Sequence, residues 1–151
     1  MKAKDLMTEN PKTCEPDHDL ACALRIMAEE DCGIVPVTRG NGEMHVVGVV
    51  TDRDAALHLG SLDVKPSSVE VEDVMSTALV TCAPKADGRE VSRKMQDAQV
   101  RRILVVEKGK LRGVVSTADL ARTLARTDRS HVDEEVGRVV VRISEEAPGR
   151  A

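Results

Sequence analysis

The spacing of apolar residues along the chain changes several times, and the order of the changes repeats. Leu20, Ala23, Leu24 and Met27 recur at i, i+3, i+4 and i+7, which predicts an amphipathic helix. Two β-branched runs follow at 34–38 and 45–50, separated by the glycine-bearing polar stretch RGNGEM. Further on, Val91, Met95 and Ala98 form a second helical stripe, opened by Asp87 as N-cap and Glu90 as the N3 acid. Runs at 103–106 and 111–115 then flank EKGK. Connections this short predict antiparallel hairpins in both places. Gly33 is expected to end the first helix in a left-handed C′ conformation, with Arg101 holding the matching place at a conformational cost. A short helix is expected after each hairpin, and Gly60 is expected to stop the first of them.

The residues repeat as well as the pattern. Asp5-Leu6-Met7 matches Asp73-Val74-Met75; at the same offset Thr13-Cys14 falls on Thr81-Cys82, Pro16 on Pro84, Met27 on Met95 and Val37 on Val105. The phrase GVVTDRDAA from Gly48 returns as GVVSTADLA from Gly113, the offset shrinking because the loop near 39–45 is longer in the first copy. A register kept through the elements and broken in a polar loop indicates two copies of one unit: strand, helix, strand, strand, helix. One such unit is too small to bury both faces of its sheet, so the two are expected to pack together. The chain therefore divides into a first repeat at 1–60, a linker at 61–69, a second repeat at 70–126 and a C-terminal extension at 127–151. In the extension, Val132, Val136, Val139, Val140 and Ile143 fit a helical stripe, while RVVVRIS also reads as a strand. A part-helical extension that frays from 145 is expected.

Composition narrows the functions. The 151 residues include no Phe, Tyr or Trp and carry a formal charge of −4. Stacking on aromatic rings, the usual platform for single-stranded nucleic acid, has no residues to supply it, and the charge disfavours a phosphate-backbone partner. The N-terminus MKAKDLMTEN lacks the apolar run of a signal peptide, and no stretch is long and apolar enough for a membrane span. The four cysteines form no CxxC pair, so reduced thiols and a cytoplasmic location are expected.

The repeated phrase carries the candidate chemistry. A hydroxyl three residues ahead of an acid, at the start of a helix, suits a capping box. The same place suits a phosphate, because backbone N–H groups at a helix start are unpaired and Thr51 or Ser116 can add a hydroxyl. Asp54 and Asp119 would repel a phosphate but are suited to the vicinal hydroxyls of a ribose. Both readings use one geometry.

Tandem units ending in G-h-h-[ST]-x-x-D resemble a pair of cystathionine-β-synthase (CBS) domains, a Bateman module, over roughly residues 1–126. The resemblance implies an α/β (α+β) fold of two β-α-β-β-α repeats packed pseudo-symmetrically, with clefts between them. It also implies a regulatory role, commonly as a homodimer, with AMP, ADP, ATP or S-adenosylmethionine as ligand. Carried over by position, Asp54 and Asp119 meet ribose hydroxyls, and Thr51 and Ser116 lie by the ribose and first phosphate. Thr13-Cys14 with Val35-Pro36, and Thr81-Cys82 with Ile103-Leu104, line the purine pockets. Arg53, Arg101 and Arg102 are candidate phosphate contacts, with at most one of the adjacent pair facing a given cleft.

Other constellations point less far. Cys14, His18, Cys22 and Cys32 lie close in sequence but at spacings of no familiar zinc clamp, so Cys22 and Cys32 read as small apolar fillers. Glu29, Glu30 and Asp31 crowd the end of a helix, against its dipole, and read as a solvated face. Nothing pairs a nucleophile with a base, and catalysis is not expected. The sequence thus suggests a regulatory CBS pair that senses an adenosyl nucleotide and signals to a separate protein. The alternatives are a ligand-free dimeric scaffold whose T-x-x-D motifs only cap helices, and a redox or metal sensor through Cys14 or Cys82.

Overall fold

The computed structural model describes residues 1–40 and 42–126. The C-terminal extension lies outside the described residues. In chain order the elements are α1 (Ala3–Leu6), β1 (Thr8–Glu9), α2 (Leu20–Glu29), β2 (Ile34–Arg39), β3 (His45–Thr51), α3 (Asp52–Leu62), β4 (Thr81–Cys82), α4 (Gly88–Asp97), β5 (Arg102–Glu107), β6 (Lys110–Ser116) and α5 (Thr117–Arg126), with single 3-10 turns at Pro66–Ser68 and Val71–Asp73. The fold is mixed α/β, as the repeat pattern predicts.

Local chemistry explains where the helices begin. The Asp19 carboxylate accepts from the Cys22 N–H at 2.9 Å at the head of α2. The Asp87 carboxylate accepts from the Glu90 N–H at 2.8 Å at the head of α4. Both are N-caps; the one at Asp87 is as expected. The helix ends differ from expectation. The left-handed residue after α2 is Asp31 (φ 48), and its counterpart after α4 is Gln99 (φ 53). Arg101 therefore bears no such cost, because the turn is completed two residues before it. Helix α3 runs through Gly60 to Leu62 and ends on left-handed Asp63. The acids at the end of α2 are exposed, as expected, and Lys12 reaches Glu30 at 2.9 Å and Glu29 at 3.7 Å.

The chain forms two compact units, and they cut across the repeats. Of the described residues, one takes in Met1–Glu9, Val80–Glu107 and 112–126; the other takes in Asn10–Leu79 and Lys108–Leu111. The first nine residues thus fold with the elements of the second repeat, and the opening of the second repeat folds with the elements of the first.

Matched contacts show this exchange. Thr8 and Glu9 pair antiparallel with Val114 and Gly113; Ser76 pairs with Val49 in the equivalent bridge. Ala3 N–H donates to Ala86 O at 2.7 Å, and Val71 N–H donates to His18 O at 2.8 Å. Val71, at the opening of the second repeat, is fully buried, and Val69, the last residue of the expected linker, nearly so.

Each unit has its own apolar centre. In one, Ala3, Leu6, Val91, Met95, Ile103, Val105, Val115 and Leu120 pack together. In the other, Leu20, Ala23, Met27, Val35, Val37, Val50, Ala55 and Val71 do so. The β2–β3 hairpin is antiparallel with an irregularity between Val37 and Thr38. The two-residue turn Lys108-Gly109 that joins β5 to β6 has positive φ at both positions, the geometry that suits the twist of a tight hairpin.

Candidate functional site: two helix-start phrases

Both copies of the phrase lie where a strand becomes a helix. β3 ends at Thr51 and α3 starts at Asp52; β6 ends at Ser116 and α5 starts at Thr117. The glycine that opens each phrase is needed for close approach. A Cβ on Gly113 would stand 2.6 Å from Met7 Sδ and 2.7 Å from Thr8 O. A Cβ on Gly48 would stand 2.7 Å from Met75 Sδ and 3.1 Å from Ser76 O. The D-h-M motif and the G-V-V motif are therefore two sides of one contact, made in each unit between halves of different repeats.

The two phrases share a cap and differ at the acid. Thr51 Oγ1 accepts from the Asp54 N–H at 3.1 Å, and Ser116 Oγ accepts from the Asp119 N–H at 3.2 Å. The Asp119 carboxylate folds back: Oδ2 accepts from the Ser116 N–H at 2.7 Å and from the Ser116 hydroxyl at 2.6 Å. Its other oxygen accepts from the Arg122 guanidinium. Among the described residues, the half-buried Asp54 carboxylate has no hydrogen bond or ion pair. Arg53 is exposed, and its backbone N–H donates to the Asp52 carboxylate at 2.8 Å.

The residues expected to line purine pockets divide by strand face. Val35 and Ile103 are buried in the two apolar centres, as are Cys14 and Cys82. Cys14 sits beside Val37 in a parallel bridge, giving its N–H to Pro36 O at 3.2 Å and taking the Thr38 N–H on its carbonyl at 2.9 Å. Alternation along the strands turns Pro36 and Leu104 to the opposite face. Thr81 is the register partner of Leu104. Thr13 and Thr81 are half-buried. Arg101 is exposed, Arg102 half-buried, and the Arg101 carbonyl accepts from the Thr117 N–H at 3.0 Å.

The thiols at these positions are held protonated. Burial pushes the Cys14 thiol up to about 12, with the nearby Cys22 adding to the effect. Burial also raises Cys82, outweighing the opposing pull of Lys94. Thr13 additionally lines a cavity of about 340 Å³ with Glu15, His18, Thr38, Arg39 and Met44, at the end of β3 away from Thr51. Beside it, Glu15, Asp17 and His18 bring potential ligand atoms within 4.8 Å of one another on exposed side chains. In the sequence His18 stands out by its spacing from the cysteines, whereas Glu15 and Asp17 carry no separate signal.

The CBS domain family model matches residues 3–61 and 71–126. The chain belongs to the CBS-domain family, as a tandem pair. It is 35% identical to the uncharacterized protein YlbB of Bacillus subtilis over 129 residues, 85% of this chain and 86% of that protein. Among solved structures, hypoxic response protein I with two coordinated zinc ions is 26% identical, with a TM-score of 0.71 over 81% of this chain and 98% of that one. CBSX2 in complex with AMP is 24% identical, with a TM-score of 0.70 over 85% of this chain and 98% of that one. The last likeness shows the fold alone. Among the described residues, no helix is long and apolar enough to cross a membrane.

Proposed function

We propose that this protein is a regulatory CBS pair that binds an adenosyl nucleotide and passes the signal to a separate protein. The observation that carries this reading is the state of the first phrase. A capped helix start, an exposed Arg53 and an Asp54 carboxylate with no partner among the described residues stand within four positions. The N–H groups of Asp52, Arg53 and Asp54 are taken by Gly33 O, the Asp52 carboxylate and Thr51 Oγ1, so Arg53 is the group offered to a phosphate and the carboxylate the one offered to ribose hydroxyls. The AMP carried by CBSX2 supports an adenosyl ligand for this fold. No catalytic step is assigned, and we place the protein in the cytoplasm as a homodimer. Output requires the ligand to bind one packing of the protein better than another.

The reading as a redox or metal sensor through Cys14 or Cys82 is disfavoured by burial, because the thiolate is the reactive and metal-binding form. The scaffold reading fits the second phrase, whose acid is fully engaged in its cap, better than the first. The test is calorimetric titration of protein shown by mass spectrometry to carry no co-purified nucleotide, against AMP, ADP, ATP and S-adenosylmethionine. Saturable heat from one of them is expected. Silence from all four contradicts the reading.

A further inference from the structure

The two phrases have traded the position of their cation. Aligned on the aspartate, Arg53 stands one residue before Asp54 where the second copy has Ala118, and Leu57 stands three residues after it where the second copy has Arg122. On α5 the three-residue spacing brings Arg122 onto the same face as Asp119, and the two form an ion pair. The carboxylate is thereby closed at both oxygens: Ser116 holds Oδ2 and Arg122 holds Oδ1. Only 11% of the Asp119 side chain stays exposed. On α3 the equivalent place is occupied by Leu57, which is 61% exposed and offers no donor.

A ribose reaching Asp119 must displace both the Ser116 hydroxyl and the Arg122 guanidinium. One reaching Asp54 displaces no partner among the described residues. The second phrase also has Ala118 in the place of Arg53, and the arginine beside its helix start is Arg101, whose carbonyl accepts from the Thr117 N–H. We infer that Arg122 is a blocking residue: it reserves the Asp119 carboxylate for the protein and leaves the module with one nucleotide site per chain, at the first phrase. This inference rests on the nucleotide-binding reading above and adds to it which copy binds and which residue decides.

The experiment is equilibrium dialysis of radiolabelled AMP, scored as moles bound per mole of folded chain. Wild type is expected to bind one AMP. The double variant Ala118→Arg/Arg122→Leu, which gives the second copy the arrangement of the first, is expected to bind two. The reciprocal variant Leu57→Arg places a cation at the equivalent spacing from Asp54 and is expected to weaken AMP binding at least about tenfold, one log unit of Kd. Because Leu57 and Arg122 are both exposed, folding of the variants can be verified by circular dichroism before dialysis. Two AMP per wild-type chain, one AMP per chain in the double variant, or unchanged affinity in Leu57→Arg overturns the inference alone. Binding of none of AMP, ADP, ATP and S-adenosylmethionine, each dialysed in turn, by wild type or by the double variant overturns the underlying nucleotide reading.

Discussion

Ser116 and Asp119 hold each other on both sides of a helix start: the carboxylate takes the serine N–H and hydroxyl at 2.7 and 2.6 Å, and the serine oxygen takes the aspartate N–H at 3.2 Å. This is a complete capping box. The equivalent Thr51 and Asp54 make one of those contacts. The same letters therefore do different work in the two repeats. Asp119→Ala is expected to cost about 1–2 kcal/mol of stability. Asp54→Ala is expected to stay within about 0.5 kcal/mol, since what it removes is chiefly a first-turn charge. Urea unfolding of both variants checks this, and equal losses would contradict it.

The glycines that open the two phrases should also be unequal. At Gly113 a Cβ meets the fixed backbone carbonyl of Thr8 at 2.7 Å; at Gly48 the nearest atom is the flexible Met75 sulfur at 2.7 Å, with the Ser76 carbonyl at 3.1 Å. Gly113→Ala is expected to lose about 1–3 kcal/mol, as overpacking against backbone does, and Gly48→Ala clearly less. Thermal unfolding of the pair tests the order. Gly48→Ala proving the more damaging would contradict the contact geometry.

How much of this was legible depends on how local the determinant is. The helical stripe from Leu20 to Met27, the hairpins and the Asp87 cap follow from periodicity and short-range hydrogen bonding, and they lie as expected. The exchange of Met7 and Met75 between repeats does not follow, because identical motifs at both openings leave the sequence indifferent to which copy each one joins. The left-handed turns at Asp31 and Gln99 lie two residues before the places Gly33 and Arg101 mark; a short aspartate tolerates that conformation as a glycine does, while nothing local in the sequence marks Gln99. Within the phrase, hydroxyl and acid were visible as a pair. What escaped was Arg122, whose reach to Asp119 needs the three-residue spacing of a formed helix.

Stability should fall on the alkaline side through the buried thiols. The Cys14 thiol rises from 9.0 to about 12 in the folded protein. Below pH 9 it is protonated both folded and unfolded, and its ionisation contributes nothing. Above pH 9 the unfolded chain loses the proton more readily, so the folded state loses ground until about pH 12, where the thiol ionises in both. Cys82 acts in the same direction. The urea midpoint of wild type is therefore expected to fall across this range more steeply than that of Cys14→Ala. Parallel curves would contradict the assignment.

The central claim is that an adenosyl nucleotide is held at the first phrase, by Asp54. The most direct measurement is calorimetric titration with AMP of Asp54→Ala and Asp119→Ala beside wild type, each verified as folded. Loss of the binding heat in Asp54→Ala, with Asp119→Ala within about twofold of wild type in Kd, less than half a kcal/mol, is the predicted result. Binding that survives Asp54→Ala, or that disappears in Asp119→Ala, would contradict it.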